Sequence, residues 1–359
     1  MAAFPLPPGS TLGVLGGGQL GRMLALAAAR LGFDVAVLER DADSPAGRVA
    51  AHTIVGPYDD PKALEALAAV ASVVTYEFEN VPAKSVLTLQ ALGVEAAPGP
   101  EALSVAQDRV AEKQFLNATG APTVAFASAD SADEAMSQAA AMGAPLLIKT
   151  RRDGYDGKGQ RWIEHAADAA AAFEALGGVP VILEAQANFV RELSIIAARG
   201  RDGATAIYPL SENHHEGGIL RRTLAPAEVS TRTAEEAERI AVRVLEGLNY
   251  VGVIGIELFE LKDGRLLVNE IAPRVHNTGH WTQDGCEVDQ FEQHVRAVAG
   301  WPLGPTAPHA RVEMLNLLGD EANQWAKLAH EPETRLHLYG KREAKPGRKM
   351  GHVNKVHPL

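Results

Sequence analysis

VGVIGIELFELKDGRLLVNEIAP, residues 251–273, reads as a β-hairpin. Asp263-Gly264 is a favoured two-residue hairpin turn, so Lys262 is expected to face Arg265 across it. Counting outwards from that turn brings Glu257 opposite Glu270 on one face of the pair. Their flanks are apolar, VGVIGI before Glu257 and LLV before Asn269-Glu270. Like charges placed opposite each other are destabilising. Partial burial raises the cost or forces one carboxylate to hold a proton. A divalent cation between them removes the conflict, and Mg²⁺ is typically held by one or two carboxylates plus substrate phosphates. The bland alternative is a pair of exposed edge glutamates in a slipped register.

Upstream lies KTRRDGYDGKGQ, residues 149–160, a charged and glycine-rich loop between two strand-like runs. Three readings compete: a solvated turn, a nucleic-acid contact, or a cover over phosphates. The chain has 359 residues and a net charge of −11, an acidic balance that argues against nucleic acid as a partner. A loop of this kind lets backbone N–H groups approach phosphate oxygens while Lys adds charge. With the paired glutamates downstream, it describes a nucleoside triphosphate site. GxxxxGK[ST] is absent, as are HRD and DFG, so neither a P-loop nor a protein-kinase site is expected.

Hydrophobic residues make up 46% and charged residues 22%, the composition of a folded chain expected to form two or three domains. A lone cysteine, Cys286, fits a reducing cytoplasm. Neither a signal peptide nor a run of ~20 apolar residues is present, so no membrane association is expected.

At the N-terminus, TLGVLGGG (11–18) reads as a buried strand, QLGRMLALAAARLG (19–32) as a helix and FDVAVLER (33–40) as the next strand. Further strand–helix alternation follows, which predicts a parallel α/β sheet. Gly16-x-Gly18-x-x-Gly21, with Glu39 ending the next strand, satisfies the dinucleotide pattern and keeps an NAD(P)-dependent oxidoreductase open. The alternative is a tight turn whose helix N-terminus could hold any anion. A helix is expected over 106–120, a strand near 122–127, a helix near 131–143, and two strands joined by a connector over 179–200. The tail from His337 is polar and basic.

Five segments in order resemble the ATP-grasp ligases, in particular the branch that carboxylates 5-aminoimidazole ribonucleotide in purine biosynthesis. They are GGGQLGRML (16–24), YEFENV (76–81), GYDGKGQ (154–160), NEIAPRVHNTGHWT (269–282) and KREAKPGRKMGHV (341–353). The resemblance implies a Rossmann-like domain over 1–107, a small ATP-grasp lobe over 108–187, a large lobe over 188–300 and a C-terminal extension over 301–359.

Carried over residue by residue, it implies that Arg109 and Lys149 contact phosphates. Gly154, Tyr155, Asp156, Gly157, Lys158, Gly159 and Gln160 would form the lid. Glu184, Ala185, Gln186 and Ala187 would read the adenine edge. Glu192 would hold the ribose and His215 would sit in the nucleotide site. Glu257 and Glu270 would bind Mg²⁺ with Asn269 beside them. Many relatives in the superfamily carry an Asn two residues after the second metal carboxylate, where this chain has Ala272.

The implied reaction makes carboxyphosphate from bicarbonate and ATP, and then carboxylates the amine of the ribonucleotide. Asp156, beside Tyr155, would orient or deprotonate that amine, a salt bridge to Arg151 or Arg152 being the competing role. Arg274, His276 and Asn277 would face the ring or bicarbonate. Lys341 and Arg348 would face the 5′-phosphate, and Gln19 and Glu77 the substrate side. A homodimer is expected. Competing readings are a formate-dependent glycinamide ribonucleotide transformylase, a biotin-carboxylase-like ligase, the NAD(P) oxidoreductase, and a non-catalytic regulator.

Overall fold

The computed structural model describes residues 2–154 and 159–359. Three sheets form in chain order. The first is parallel: β1 (Thr11–Leu15), β2 (Asp34–Glu39), β3 (His52–Val55) and β4 (Val73–Tyr76), arranged β3-β2-β1-β4. Helices α1 (Gln19–Arg30), α2 (Pro61–Val70) and α3 (Ala83–Ala91) accompany it. VVTY of β4 is buried on both faces, as a parallel strand covered by helices requires. Asp60 caps α2, accepting from the Ala63 amide at 3.2 Å, with Pro61 at the first helical position. The strand order reverses about β1. Ligands of open α/β sheets bind outside the strand ends at such a point, where the 16–21 turn and Glu77 lie.

The helix expected over 106–120 forms as α5 (Arg109–Ala118), and a separate helix, α4 (Pro100–Ala106), precedes it. The break falls at Gln107-Asp108. Asp108 turns its carboxylate back onto the amides of Val110 and Ala111 and starts a new helix. The second sheet is antiparallel, ordered β5-β8-β6-β7 from β5 (Phe126–Ala129), β6 (Leu146–Thr150), β7 (Gln160–Ile163) and β8 (Val181–Ala185). Helices α6 (Ala132–Met142) and α7 (Ala169–Ala175) cover it. The strand expected near 122–127 begins later, at Phe126.

The third sheet contains β9 (Phe189–Arg199), β10 (Thr205–Ile207), β11 (Ser211–Glu216), β12 (Ile219–Ala225), β13 (Gly252–Leu261), β14 (Leu266–Ala272), β15 (Arg311–Leu318), β16 (Thr334–Leu338) and β17 (Lys349–His357). Its order is β14-β13-β9-β11-β12-β15-β17-β16, with β10 on β9. Helix α8 (Thr231–Gly247) buries Ala237, Ile240, Ala241, Val244 and Leu245 in one core with β9, β13 and β14. The short α9 (Thr282–Gly285) leads to α10 (Gln290–Ala299), which packs on α1.

That packing joins the first sheet to the third in one hydrophobic core. His294 of α10 pins the joint: Nδ1 accepts from the Val253 amide at 3.0 Å, so Nε2 carries the proton and donates to Thr75 Oγ1 at 2.7 Å. The basic tail contributes β17, whose residues Met350 to Asn354 are buried between β15 and β16.

Candidate active site

The three sheets meet around a cleft of about 740 Å³. The first contributes Gln19, Leu20 and the 77–80 turn. Arg109 opens α5 beside it. Lys149, Gly154 and Gln160 come from the second sheet and its loop. Glu192, His215, Glu257, Asn269, Glu270, Arg274, His276, Asn277 and Lys349 come from the third sheet and its connections.

Glu257 and Glu270 are Cα partners, as the sequence predicts. The route differs from the expected one. The tip is not a two-residue turn: Leu261 pairs with Arg265 through its amide, leaving Lys262, Asp263 and Gly264 as the loop. Gly264 has φ +78°, the left-handed position of a three-residue hairpin. This puts Leu258 opposite Val268, one residue out of the expected register. Asn269 then bulges out as an extra residue, and the pairing resumes with Glu257 opposite Glu270. The bulge also places Asn269 in the cleft, its amide 3.4 Å from Glu257 Oε2.

Burial and the facing Glu270 together push the Glu257 carboxyl up to about 7. Arg109 reaches Glu270 at 3.3 Å and the Gly154 carbonyl at 2.9 Å. His276 is neutral, pushed down to about 3 by burial and the nearby Arg274. Its Nδ1 accepts from the Thr278 amide, so Nε2–H faces Glu257 Oε1 at 3.7 Å. Burial alone would lower His215, but Glu192 at 2.5 Å and Glu257 raise it. Asn277 lines the cleft with both side-chain polar atoms buried and without a partner among the described residues. Ala272 is buried opposite Gly255, and the amide beside the facing carboxylates is that of the bulged Asn269.

Other expected residues stand elsewhere. Tyr155, Asp156, Gly157 and Lys158 lie outside the described residues. Gly159 precedes β7, and its carbonyl accepts from the Thr150 amide at 2.9 Å. Glu184, Ala185, Gln186 and Ala187 do not line the cleft. Glu184 sits behind it, bridging Lys149 at 2.6 Å and Lys113 at 3.1 Å. Burial would raise Glu184, and the two ammonium groups outweigh it and hold the carboxyl low.

Arg151 and Arg152 are both engaged by Asp108, at 2.8 and 3.2 Å. Lys341 and Arg348 do not line the cleft: Lys341 donates to the Lys349 carbonyl at 2.7 Å, and Arg348 is exposed and donates to the Glu343 carbonyl. The next residue, Lys349, reaches the wall instead.

The glycine turn is filled by the protein itself. Glu77 accepts from the amides of Gly18 and of Gly21, the latter at 2.6 Å, and Glu39 accepts from Gly17 at 2.7 Å. A Cβ at Gly18 would lie 2.5 Å from Glu77 Oε1, which accounts for that glycine without a dinucleotide. The amides that would cradle a pyrophosphate are thus already committed, and Glu77 holds the turn although it also borders the cleft. Sequence reading missed Glu79, which pairs with Arg274, and the charged pair Glu112-Lys113 on the buried face of α5. Two charges at core-facing helical positions were the available signal.

Residues 114–291 match the ATP-grasp domain, 10–107 the ribonucleotide synthetase preATP-grasp domain, and 313–358 the phosphoribosylaminoimidazole carboxylase C-terminal domain. The N5-carboxyaminoimidazole ribonucleotide synthase of Brucella melitensis is 50% identical over 98% of both chains. The chain belongs to the N5-carboxyaminoimidazole ribonucleotide synthase family. The Pseudomonas aeruginosa synthase is 46% identical over 95% of this chain and 93% of its own. Among solved structures, an ADP complex of an N5-carboxyaminoimidazole ribonucleotide synthetase superposes with TM-score 0.94, at 39% identity over 98% of this chain and 93% of that one. The Aspergillus clavatus N5-carboxyaminoimidazole synthase, solved with ADP and 5-aminoimidazole ribonucleotide, gives 0.91 at 33% identity over 98% and 95%. Membership of the synthase family makes the chain an ATP-grasp ligase with the pre-ATP-grasp domain, the fold expected from sequence. No helix among the described residues is long and apolar enough to cross a membrane.

Proposed function

We infer that this chain couples ATP cleavage to carboxylation of 5-aminoimidazole ribonucleotide by bicarbonate, giving the N5-carboxylated ribonucleotide, ADP and phosphate. The observation that carries the reading is the facing Glu257–Glu270 pair, set with Arg109 and Lys149 in a cleft to which all three sheets contribute.

The carboxylates fit a hard cation. They are oxygen donors, and the raised Glu257 shows a repulsion that a positive ion relieves. Among the described residues no three acidic, His or Cys side chains form a metal cage. The ion would therefore be shared with substrate phosphates, as Mg²⁺ commonly is. Glu257 and Glu270 would hold it, with Asn269 adjacent. When bound, Mg²⁺ supplies charge to offset that developing on the transferring phosphoryl group.

Arg109 and Lys149 present cations to the same phosphates. Lys149 is held in place by Glu184, so its charge is aimed before the nucleotide arrives. Arg274, fixed by Glu79, and the neutral His276 and Asn277 offer donors to bicarbonate and the ribonucleotide ring. Lys349, with Lys341 behind it, faces the ribonucleotide phosphate. Exclusion of water from the cleft would protect a reactive carboxyphosphate. Asp156 remains the proposed partner of the amine, with Tyr155 beside it and Lys158 the lid cation. A homodimer in the cytoplasm completes the reading, and light scattering tests the dimer.

ADP release is measured with and without the ribonucleotide, with bicarbonate against formate, in wild type and Glu270→Gln. Ribonucleotide- and bicarbonate-dependent release that is lost in the variant is expected. Formate-dependent release would replace this reading with a transformylase, and undiminished turnover in the variant would remove the metal assignment.

A further inference from the structure

Strand β14 is the edge of the third sheet, so its outer main-chain groups need partners other than a strand. Helix α5 and its following turn provide them in sequence. The Val268 amide donates to the Pro122 carbonyl at 2.7 Å. The carbonyl of the bulged Asn269 accepts from Lys113 Nζ at 3.2 Å. The Ile271 amide donates to Glu112 Oε1 at 2.8 Å. The bulge that aligns Glu270 with Glu257 is therefore braced by two consecutive side chains of α5.

Lys113 is 1% exposed and has a second partner, Glu184 at 3.1 Å, which in turn grips Lys149 at 2.6 Å. An ammonium group so deeply buried is costly unless it is paired and hydrogen-bonded. Here its bonds run to the bulge that borders the cleft and to Glu184 behind Lys149. Arg109, four residues earlier on the same helix face, takes Glu270 itself.

We propose that Lys113 is a positioning residue, one buried cation that fixes both the carboxylate-bearing bulge and, through Glu184, the phosphate-facing Lys149. The proposal rests on the nucleotide reading of the cleft. If Lys113 served only to neutralise Glu184, its loss would lower stability and leave the metal dependence of nucleotide binding intact. As a positioning residue, its loss loosens Asn269 to Ile271 and shifts the metal dependence, whatever happens to overall stability.

The test uses full-length Lys113→Met and three readings. The first is amide hydrogen exchange over 268–271 in metal-free protein, expected to speed up by about tenfold, the scale of one charge-assisted hydrogen bond. The second is the additional melting-temperature rise that ADP gives with MgCl₂ over ADP with EDTA; wild type shows it and the variant loses most of it. The third is steady-state turnover. The Mg²⁺ concentration for half-maximal ADP release rises by about tenfold, again one such bond, while KM for the ribonucleotide is unchanged.

A folded Lys113→Met protein with wild-type exchange and wild-type Mg²⁺ dependence overturns the proposal. Where that variant does not fold, Lys113→Gln is read the same way. It removes the charge that holds Glu184 and the bulge together, so wild-type exchange with a wild-type Mg²⁺ response in it is equally fatal. A wild type with no magnesium-dependent stabilisation by ADP would overturn the nucleotide reading, and this proposal with it.

Discussion

Two pairs of glutamates, of which all but Glu39 line the cleft, are treated oppositely. At the glycine turn, Glu77 and Glu39 are saturated by main-chain amides of Gly17, Gly18 and Gly21. At the hairpin, Glu257 and Glu270 face each other, with Arg109, His276, His215 and the Asn269 amide nearby. Both are acidic clusters in a strand–turn setting, Glu77 buried and the other three carboxylates half-buried. The first has its hydrogen bonds met inside the chain, and so it serves the fold. The second keeps an electrostatic conflict that only something from outside resolves, and so it serves a ligand. How a carboxylate is satisfied separates scaffold from site better than its presence does.

The largest effect should come from the unsatisfied pair. Glu270→Gln is expected to lower ribonucleotide-dependent ADP release by about 10²–10³-fold, the range for removing one preorganised electrostatic group, with the fold intact by circular dichroism. Glu77→Ala should do the reverse. Two amides lose their acceptor, at about 1–3 kcal/mol for each donor left unsatisfied in the interior. Denaturant unfolding is expected to shift by about 2 kcal/mol or more on that basis, with the Mg²⁺ dependence of turnover unchanged. A Glu77→Ala protein that binds NAD would reopen the dinucleotide reading and dissolve the contrast.

The pH dependence gives the hairpin and the His294 joint opposite signs. In metal-free protein burial and the facing Glu270 push the Glu257 carboxyl from its ordinary 4.5 up to about 7. The folded state then binds more protons than the unfolded one across that interval. Its contribution is complete below about 4.5 and is lost as pH rises through about 7. Compared with Glu257→Gln, metal-free wild type should lose up to about 1.4 kcal/mol per pH unit there, and Mg²⁺ with ADP should abolish the difference.

His294, pushed by burial to about 3 from 6.5, works the other way. The unfolded state takes up the proton first, so stability falls as pH drops from 6.5 towards 3. His280 and His352 are depressed by burial in the same sense. Melting temperature against pH, in the four combinations of variant and ligand, separates the slopes. The smallest effect is reserved for the cleft's far wall. Lys349→Met should raise KM for the ribonucleotide by about five- to tenfold, the worth of one charged hydrogen bond at a half-open site, with little change in kcat.

The parallel first sheet was readable because strand and helix periods alternate from Thr11 to Tyr76, broken only where β3 follows β2 without a helix. The family motifs were readable because they are long and ordered. The pairing of Glu257 with Glu270 was reached from a turn of the wrong length, and the bulge at Asn269 restored it. Alternation of side chains cannot report an extra residue whose position is set by a helix distant in sequence. For the same reason Lys113 and Glu112 passed unremarked: their partners are main-chain groups of residues 269 and 271, and main-chain partners leave no trace in composition. The glycine turn misled because its pattern specifies close backbone approach, while the approaching group, Glu77, comes from the end of another strand.

The hairpin carries one more consequence. Its irregularity sits between the tip and the acidic residues, so a one-step slip arising at 262–264 is absorbed before it reaches the chemistry. Sequence drift and changes of length at that exposed tip can accumulate without touching the catalytic face. Any alteration of Asn269 falls on the far side of this buffer and is felt at once.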